Sequence, residues 1–150
     1  MSFYADIYII KKTRSKQAGW HFLNHFLPFR ENSAVEFEVP QYAEEPLMVF
    51  QVAEDLMDYL EKQPTVPYGL YWQNIDPTAL NRHGMLFYTK DGYLIFGISR
   101  YAVSIEDTSN EEACLAEMKA YFKTKEGYIT YECPPEDDYE HFMQVVQSVP

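Results

Sequence analysis

Two histidines, His21 and His25, stand four residues apart. On a helix that spacing sets both imidazoles on one face, as two zinc ligands require. The full hydrolytic pattern is His-Glu-x-x-His, in which the glutamate is the general base. Here the run is His21-Phe22-Leu23-Asn24-His25, so that glutamate is missing, and a third ligand would have to come from His83, His141 or a distant carboxylate. The simpler reading is a pair of histidines bordering an apolar helical stripe beside Trp20. No metal is expected.

The remaining nucleophiles and carboxylates are no better placed for catalysis. Glu36 and Glu38 share one face of an alternating segment, where paired carboxylates can divide acid and base roles, but where polar-out alternation explains them equally well. Ser99, Ser104 and Thr108 lack a G-x-S-x-G context, and neither Cys114 nor Cys133 has a histidine in fixed relation to it. Neither a G-x-G-x-x-G run nor a P-loop is present, and the Asp/Gly spacing of a calcium loop is absent. No catalytic residue and no cofactor are expected.

What the chain has in abundance is acid and aromatic rings. It carries 23 Asp and Glu against 12 Lys and Arg, a formal charge of −11, with 13 Tyr, 10 Phe and 2 Trp. Acidic groups recur at 54–61, 106–112 and 136–140, each on a helical stretch. A negative field of this kind speeds encounter with a basic protein and disfavours phosphate backbones. The only positive patch, Lys11, Lys12, Arg14 and Lys16, is small, so nucleic acid is not an expected partner. Tyr68, Tyr71 and Trp72 cluster ahead of Asn74 and Asp76, while Tyr88, Tyr93 and Tyr101 lie on or near a hairpin. Such rings bury an apolar body and present a polar tip, which suits an interface hot spot or a ligand cavity.

These side chains need elements to hold them. Residues 3–11 alternate as a strand, with Phe3, Ala5, Ile7 and Ile9 on one face and Tyr4, Asp6 and Tyr8 on the other. Thr13 or Ser15 caps a helix over about 16–27, ended by Pro28. Residues 34–39 read as a strand with Val35, Phe37 and Val39 inward, closed by Pro40; Gln41–Pro46 is a loop. A helix near 47–63 has Val49, Ala53, Leu56, Met57 and Leu60 inside and Glu54, Asp55, Asp58, Glu61 and Lys62 outside. A strand over 68–75 and a loop over 76–82 follow. The segment 84–99 reads as a hairpin about Lys90-Asp91-Gly92, apolar on both faces and therefore central or lining a pocket. Ser109 and Glu112 form a capping box for a helix over 110–123. A strand over 128–133 precedes a last helix opened by Pro134-Pro135, with Tyr139, Phe142, Met143 and Val146 on its apolar stripe.

The pattern predicts one α+β domain spanning 1–150, with a mainly antiparallel sheet, a central hairpin at about 84–99 and about four helices packed on it. At this length the core needs no disulfide or metal. Two cysteines, no basic-then-apolar leader and no apolar run of membrane length place the chain in the cytoplasm, away from membranes. The expected function is non-enzymatic binding of a cationic protein, with Tyr71, Trp72, Asp55, Asp58 and Glu61 as contact residues. In character, though in no motif, the chain resembles small bacterial immunity proteins, which neutralise a toxin partner. The alternative is a small-molecule site or minor enzyme whose pocket includes Tyr71, Trp72, Tyr88, Phe96 and His83. An apolar sheet face also permits a homodimer.

Overall fold

A computed structural model describes residues 3–148. The elements run β1 (Phe3–Lys11), α1 (Lys16–Phe26), β2 (Arg30–Asn32), β3 (Phe37–Val39), β4 (Met48–Phe50), α2 (Ala53–Lys62), β5 (Tyr68–Asn74), β6 (Asn81–Tyr88), β7 (Leu94–Ala102), α3 (Ser109–Phe122), β8 (Gly127–Tyr131) and α4 (Tyr139–Ser148). Six strands form one sheet in the order β2-β5-β6-β7-β1-β8, antiparallel at every step. Strands β3 and β4 make a separate two-stranded hairpin. The class is α+β, as the sequence pattern predicts.

The alternation of β1 sets the two sides of the sheet. Ala5, Ile7 and Ile9 join Leu70, Trp72, Leu86, Phe96 and Ile98 in a large core that also takes Phe22, Leu23, Leu56, Met57, Leu60 and Met118 from α1, α2 and α3. On the reverse side, Tyr8, Ile10, Met85, Ile95 and Tyr128 make a smaller core closed by Phe142 of α4. Three helices therefore cover one face, and one short helix covers only part of the other.

Local chemistry explains the seating of these elements. The Ser15 hydroxyl accepts from Ala18 N at 3.1 Å and caps α1. Two glycines let α1 lie close on β6: a Cβ at Gly19 would stand 2.9 Å from Leu86 Cδ1, and one at Gly84 would stand 2.9 Å from Leu23 Cδ2. The β6–β7 turn has Gly92 at φ +92°, the left-handed backbone that the Asp-Gly pair predicts. Arg14 is buried, with no carboxylate beside it among the described residues. Its guanidinium instead donates to four carbonyls, Leu60 O, Thr89 O, Gln63 O and Val66 O, each at 2.8 Å, and it lies over the Tyr88 ring. It ties the end of α2 to the β6–β7 turn.

Several boundaries differ from the sequence reading. The strand expected over 34–39 shrinks to Phe37–Val39, and Val35, expected inside, is 90% exposed. The helix expected from 47 begins at Ala53, because Met48–Phe50 pairs with Phe37–Val39 and Val49 is exposed. The loop at 76–82 ends sooner, since β6 starts at Asn81. The strand expected over 128–133 is Gly127–Tyr131. Thr108, not Ser109, is the cap of α3; its hydroxyl donates to Glu112, while Ser109 turns back to Asp107. The two prolines stay outside α4, which starts at Tyr139.

Candidate functional site

A groove of two joined hollows runs from the half-covered face of the sheet round its β5–β6 end to the edge of the helix-side core. The larger, about 660 Å³, lies between the β3–β4 hairpin, the β5–β6 end of the sheet and the loop at 134–137. The smaller, about 460 Å³, sits directly on the sheet face. Tyr71, Phe87 and Pro134 line both.

Strand register places the floor. Tyr71 of β5, Met85 of β6, Gly97 of β7 and Tyr8 of β1 form one cross-strand row. The next row is His83, Ser99 and Asp6. Gly97 is needed here, because a Cβ would stand 2.9 Å from the Tyr8 ring. Asp6 is 8% exposed. Glu132, with φ 50°, swings the chain after β8 across it, so that Cys133 N donates to Asp6 Oδ2 at 3.0 Å and Tyr8 Oη donates to Cys133 O at 2.7 Å. Among the described residues no Lys, Arg or His lies within ion-pair distance of Asp6. Burial pushes its carboxyl up to about 6, against the opposing pull of the Cys133 N–H. His83 Nδ1 is 2.6 Å from Ser99 Oγ, and burial, helped by Arg82, lowers its pKa.

A serine beside a histidine invites an acyl-transfer reading, but the geometry does not assemble one. Ser99 is mid-strand and paired on both sides, so the backbone donors around it are committed to the sheet rather than aimed at an oxyanion. No hydrogen bond among the described residues joins Asp6 to His83 to orient the imidazole.

The larger hollow is mostly apolar, with Met48, Tyr59, Tyr68, Phe87 and Tyr88 among its walls. Tyr88 is one of the walls, and its hydroxyl is buried with no hydrogen-bond partner among the described residues. Gln41 closes the adjoining edge of β5: its amide donates to Gly69 O at 2.9 Å, and its carbonyl accepts from Gly69 N at 2.8 Å. A side chain thus satisfies the edge where a strand would otherwise pair. The rim is unusually greasy, with Tyr42 85% and Leu47 84% exposed. Glu136 and Asp137 line the hollow against a single basic residue, Lys90. Glu36 and Glu38 line a third, smaller hollow of about 270 Å³ that also takes in Tyr42.

The sequence-predicted residues scatter over this frame. Tyr71 sits at the junction of the hollows, His83 in the smaller and Tyr88 in the larger. Trp72 and Phe96 do not reach either. Both point to the helix-covered face and are core, Trp72 against Trp20, because they have the strand parity of Leu70 and Ile98. Asp55, Asp58 and Glu61 are on α2, in the layer across the sheet from Tyr71, so they do not surround it. Lys16 pairs with Asp58 at 2.8 Å, and its backbone N–H donates to Glu61 at 3.2 Å. His21 and His25 are exposed, with His25 stacked on Tyr121. Among the described residues no three metal-ligating side chains converge, and no helix is long and apolar enough to cross a membrane. Cys114 is in the core, where burial pushes its thiol up to about 12. Asp6, Glu132, Gln41, Tyr42 and Leu47 went unmarked in the sequence. For Asp6 a signal existed: it shares a strand face with Tyr4 and Tyr8.

No protein-family model and no curated protein sequence matches the chain. Among solved structures it is similar to a chain in the 1.75 Å crystal structure of the toxic C-terminal tip of CdiA from Pseudomonas aeruginosa in complex with immune protein. The identity is 11%, the coverage 88% of both chains and the TM-score 0.46. Likeness at that level transfers neither partner nor activity.

Proposed function

We propose that this protein is a non-enzymatic binding module that receives a basic protein partner in the groove that runs from the half-covered sheet face round the β5–β6 end. The observation that carries the reading is the exposed rim of Tyr42 and Leu47 beside a concave floor edged by Glu136 and Asp137. Exposed apolar groups bordering a hollow and rimmed by charge are the usual marks of a protein-docking surface. The net charge of −11 favours a cationic partner and its rapid encounter. Blocking a basic toxin, in the manner of an immunity protein, is the specific role that this character fits.

Peptide display tests it. Selection against the wild-type protein, with counter-selection on a Tyr42→Ala/Leu47→Ala variant, is expected to enrich sequences with Lys or Arg flanking an apolar anchor, with binding weakened by salt. Enrichment of acidic or neutral sequences, or equal capture by the variant, would overturn the reading. The unpartnered Tyr88 hydroxyl favours one second reading, a small ligand in the larger hollow. Such a ligand would raise the melting temperature of the wild type and lose that effect in Tyr88→Phe.

A further inference from the structure

The smaller hollow has a feature that the docking surface alone does not require. Asp6 is an almost fully buried carboxylate at the bottom of a hollow, it has no cation beside it among the described residues, and Glu132 adds a second carboxylate at the lip. A buried anion without a counter-charge costs the fold, and proteins ordinarily pair such a group or remove it. The walls above it are aromatic. Tyr71 meets Phe87 edge to face at 5.4 Å, and Phe87 meets Tyr8 edge to face at 6.0 Å. Rings at the sides, a carboxylate at the base and another at the lip make the environment that an organic cation seeks, through its attraction both to ring faces and to charge.

We propose that this hollow takes the cationic head of a lysine or arginine side chain from the partner, with Asp6 as its counter-ion and Tyr8, Tyr71 and Phe87 as its walls. The inference rests on the basic-partner reading above and names the residue that the partner inserts. The hollow joins the larger cleft through Tyr71 and Phe87, so one extended segment can place an apolar group in the cleft and a cation over Asp6. Ionised Asp6 is required. Tyr4 and Tyr8 face it from β1, Tyr71 from β5, His83 from β6, and Glu132 and Cys133 from the turn after β8. Burial raises the pKa of Tyr8 and Tyr71, donation of its own hydroxyl to Tyr101 raises that of Tyr4, and all three tyrosines stay neutral. His83, once protonated at low pH, acts in the same direction as protonation of Asp6, against the cation.

The probes are N-acetyl-arginine amide and N-acetyl-lysine amide, with N-acetyl-citrulline amide and N-acetyl-norleucine amide as neutral counterparts. Backbone amide shifts at Gly97 and Ser99 report occupancy even when affinity is weak. The cationic probes are expected to bind and the neutral ones not. Asp6→Asn should weaken binding about tenfold or more, in line with the loss of a charged hydrogen bond. Glu106→Gln, an equal change of charge on an exposed loop, should leave it unaltered. Wild-type affinity should fall as pH drops through about 6, and that fall should be reduced in Asp6→Asn. Equal binding of neutral probes, or wild-type affinity in Asp6→Asn, would overturn the proposal. The Tyr42/Leu47 variant should bind the small cations normally. Failure of the cation probes alongside successful selection of basic peptides would therefore refute this hollow while leaving the groove standing, and the reverse pattern would refute the groove.

Discussion

Replacing Asp6 by asparagine should make the protein more stable at neutral pH. In the folded chain burial lifts the Asp6 carboxyl from 3.8 to about 6. Between those values the folded state holds a proton that the unfolded state has released. The stabilisation is therefore complete below 3.8 and disappears as pH rises through about 6. A difference of about 2 on the pH scale, at about 1.4 kcal/mol each, bounds the cost of the ionised group near 3 kcal/mol. Asparagine carries no charge and can still accept the Cys133 N–H through its carbonyl, so it should recover about 1–3 kcal/mol at pH 7.5. For a chain of this length that is a rise of about 2–4 °C in melting temperature per kcal/mol. Near pH 4 the two proteins should be almost equal. Urea denaturation is a direct assay, read by the fluorescence of Trp20 and Trp72, which pack together at 6.0 Å. Repeating it from pH 4 to 7.5 and subtracting the two curves cancels the other carboxylates. Parallel curves across that range, or a less stable Asp6→Asn at pH 7.5, would refute the account of Asp6 as a buried and uncompensated anion. Together with the cation probes, the same substitution should strengthen the fold while weakening recognition, as expected where a site is held at the expense of stability.

Two further substitutions probe the scaffold. Arg14→Lys keeps the charge but cannot span four carbonyls held at 2.8 Å in separate directions; it should lower stability by about 2–4 kcal/mol in denaturant titration, and an unchanged midpoint would show that the α2-to-turn tie is not needed. Gly84→Ala places a methyl 2.9 Å from Leu23 and 3.1 Å from Leu27; a loss of about 1–3 kcal/mol is expected, and a neutral or stabilising effect would mean that α1 is seated less closely than described.

Much of the frame was legible because it depends on local pattern. Period-2 alternation located β1 and the β6–β7 pair, the 3.6 period located α1 and the buried stripe Ala53, Leu56, Met57 and Leu60, and Asp91-Gly92 located the turn. The β3–β4 hairpin was not legible: Met48–Phe50 is short and apolar, and continued smoothly into a helical stripe. The site was legible only in part, through Tyr71, His83 and Tyr88. Trp72 reads in the sequence as a contact residue or pocket wall because a tryptophan near tyrosines looks like a hot spot, although its parity with Leu70 assigns it to the core. Asp6 and Arg14 were hidden for a different reason. A charged residue in a sequence reads as wet, and only the assembled sheet reveals which ones are enclosed. Glu132 and Gln41 act through chain path and edge contacts, which have no sequence period at all.

The sheet has one face under three helices and another left half open, and this divides its strands residue by residue. Along β1, Ile7 and Ile9 answer to the interior while Tyr4 and Asp6 answer to whatever the molecule meets. Along β7, Phe96 and Ile98 do the first job and Ser99 and Tyr101 stand on the open side. Substitution at alternate positions can therefore rewrite what is recognised without disturbing what is buried. On the docking reading proposed above, such a plan lets one binding target be exchanged for another while the architecture stays the same.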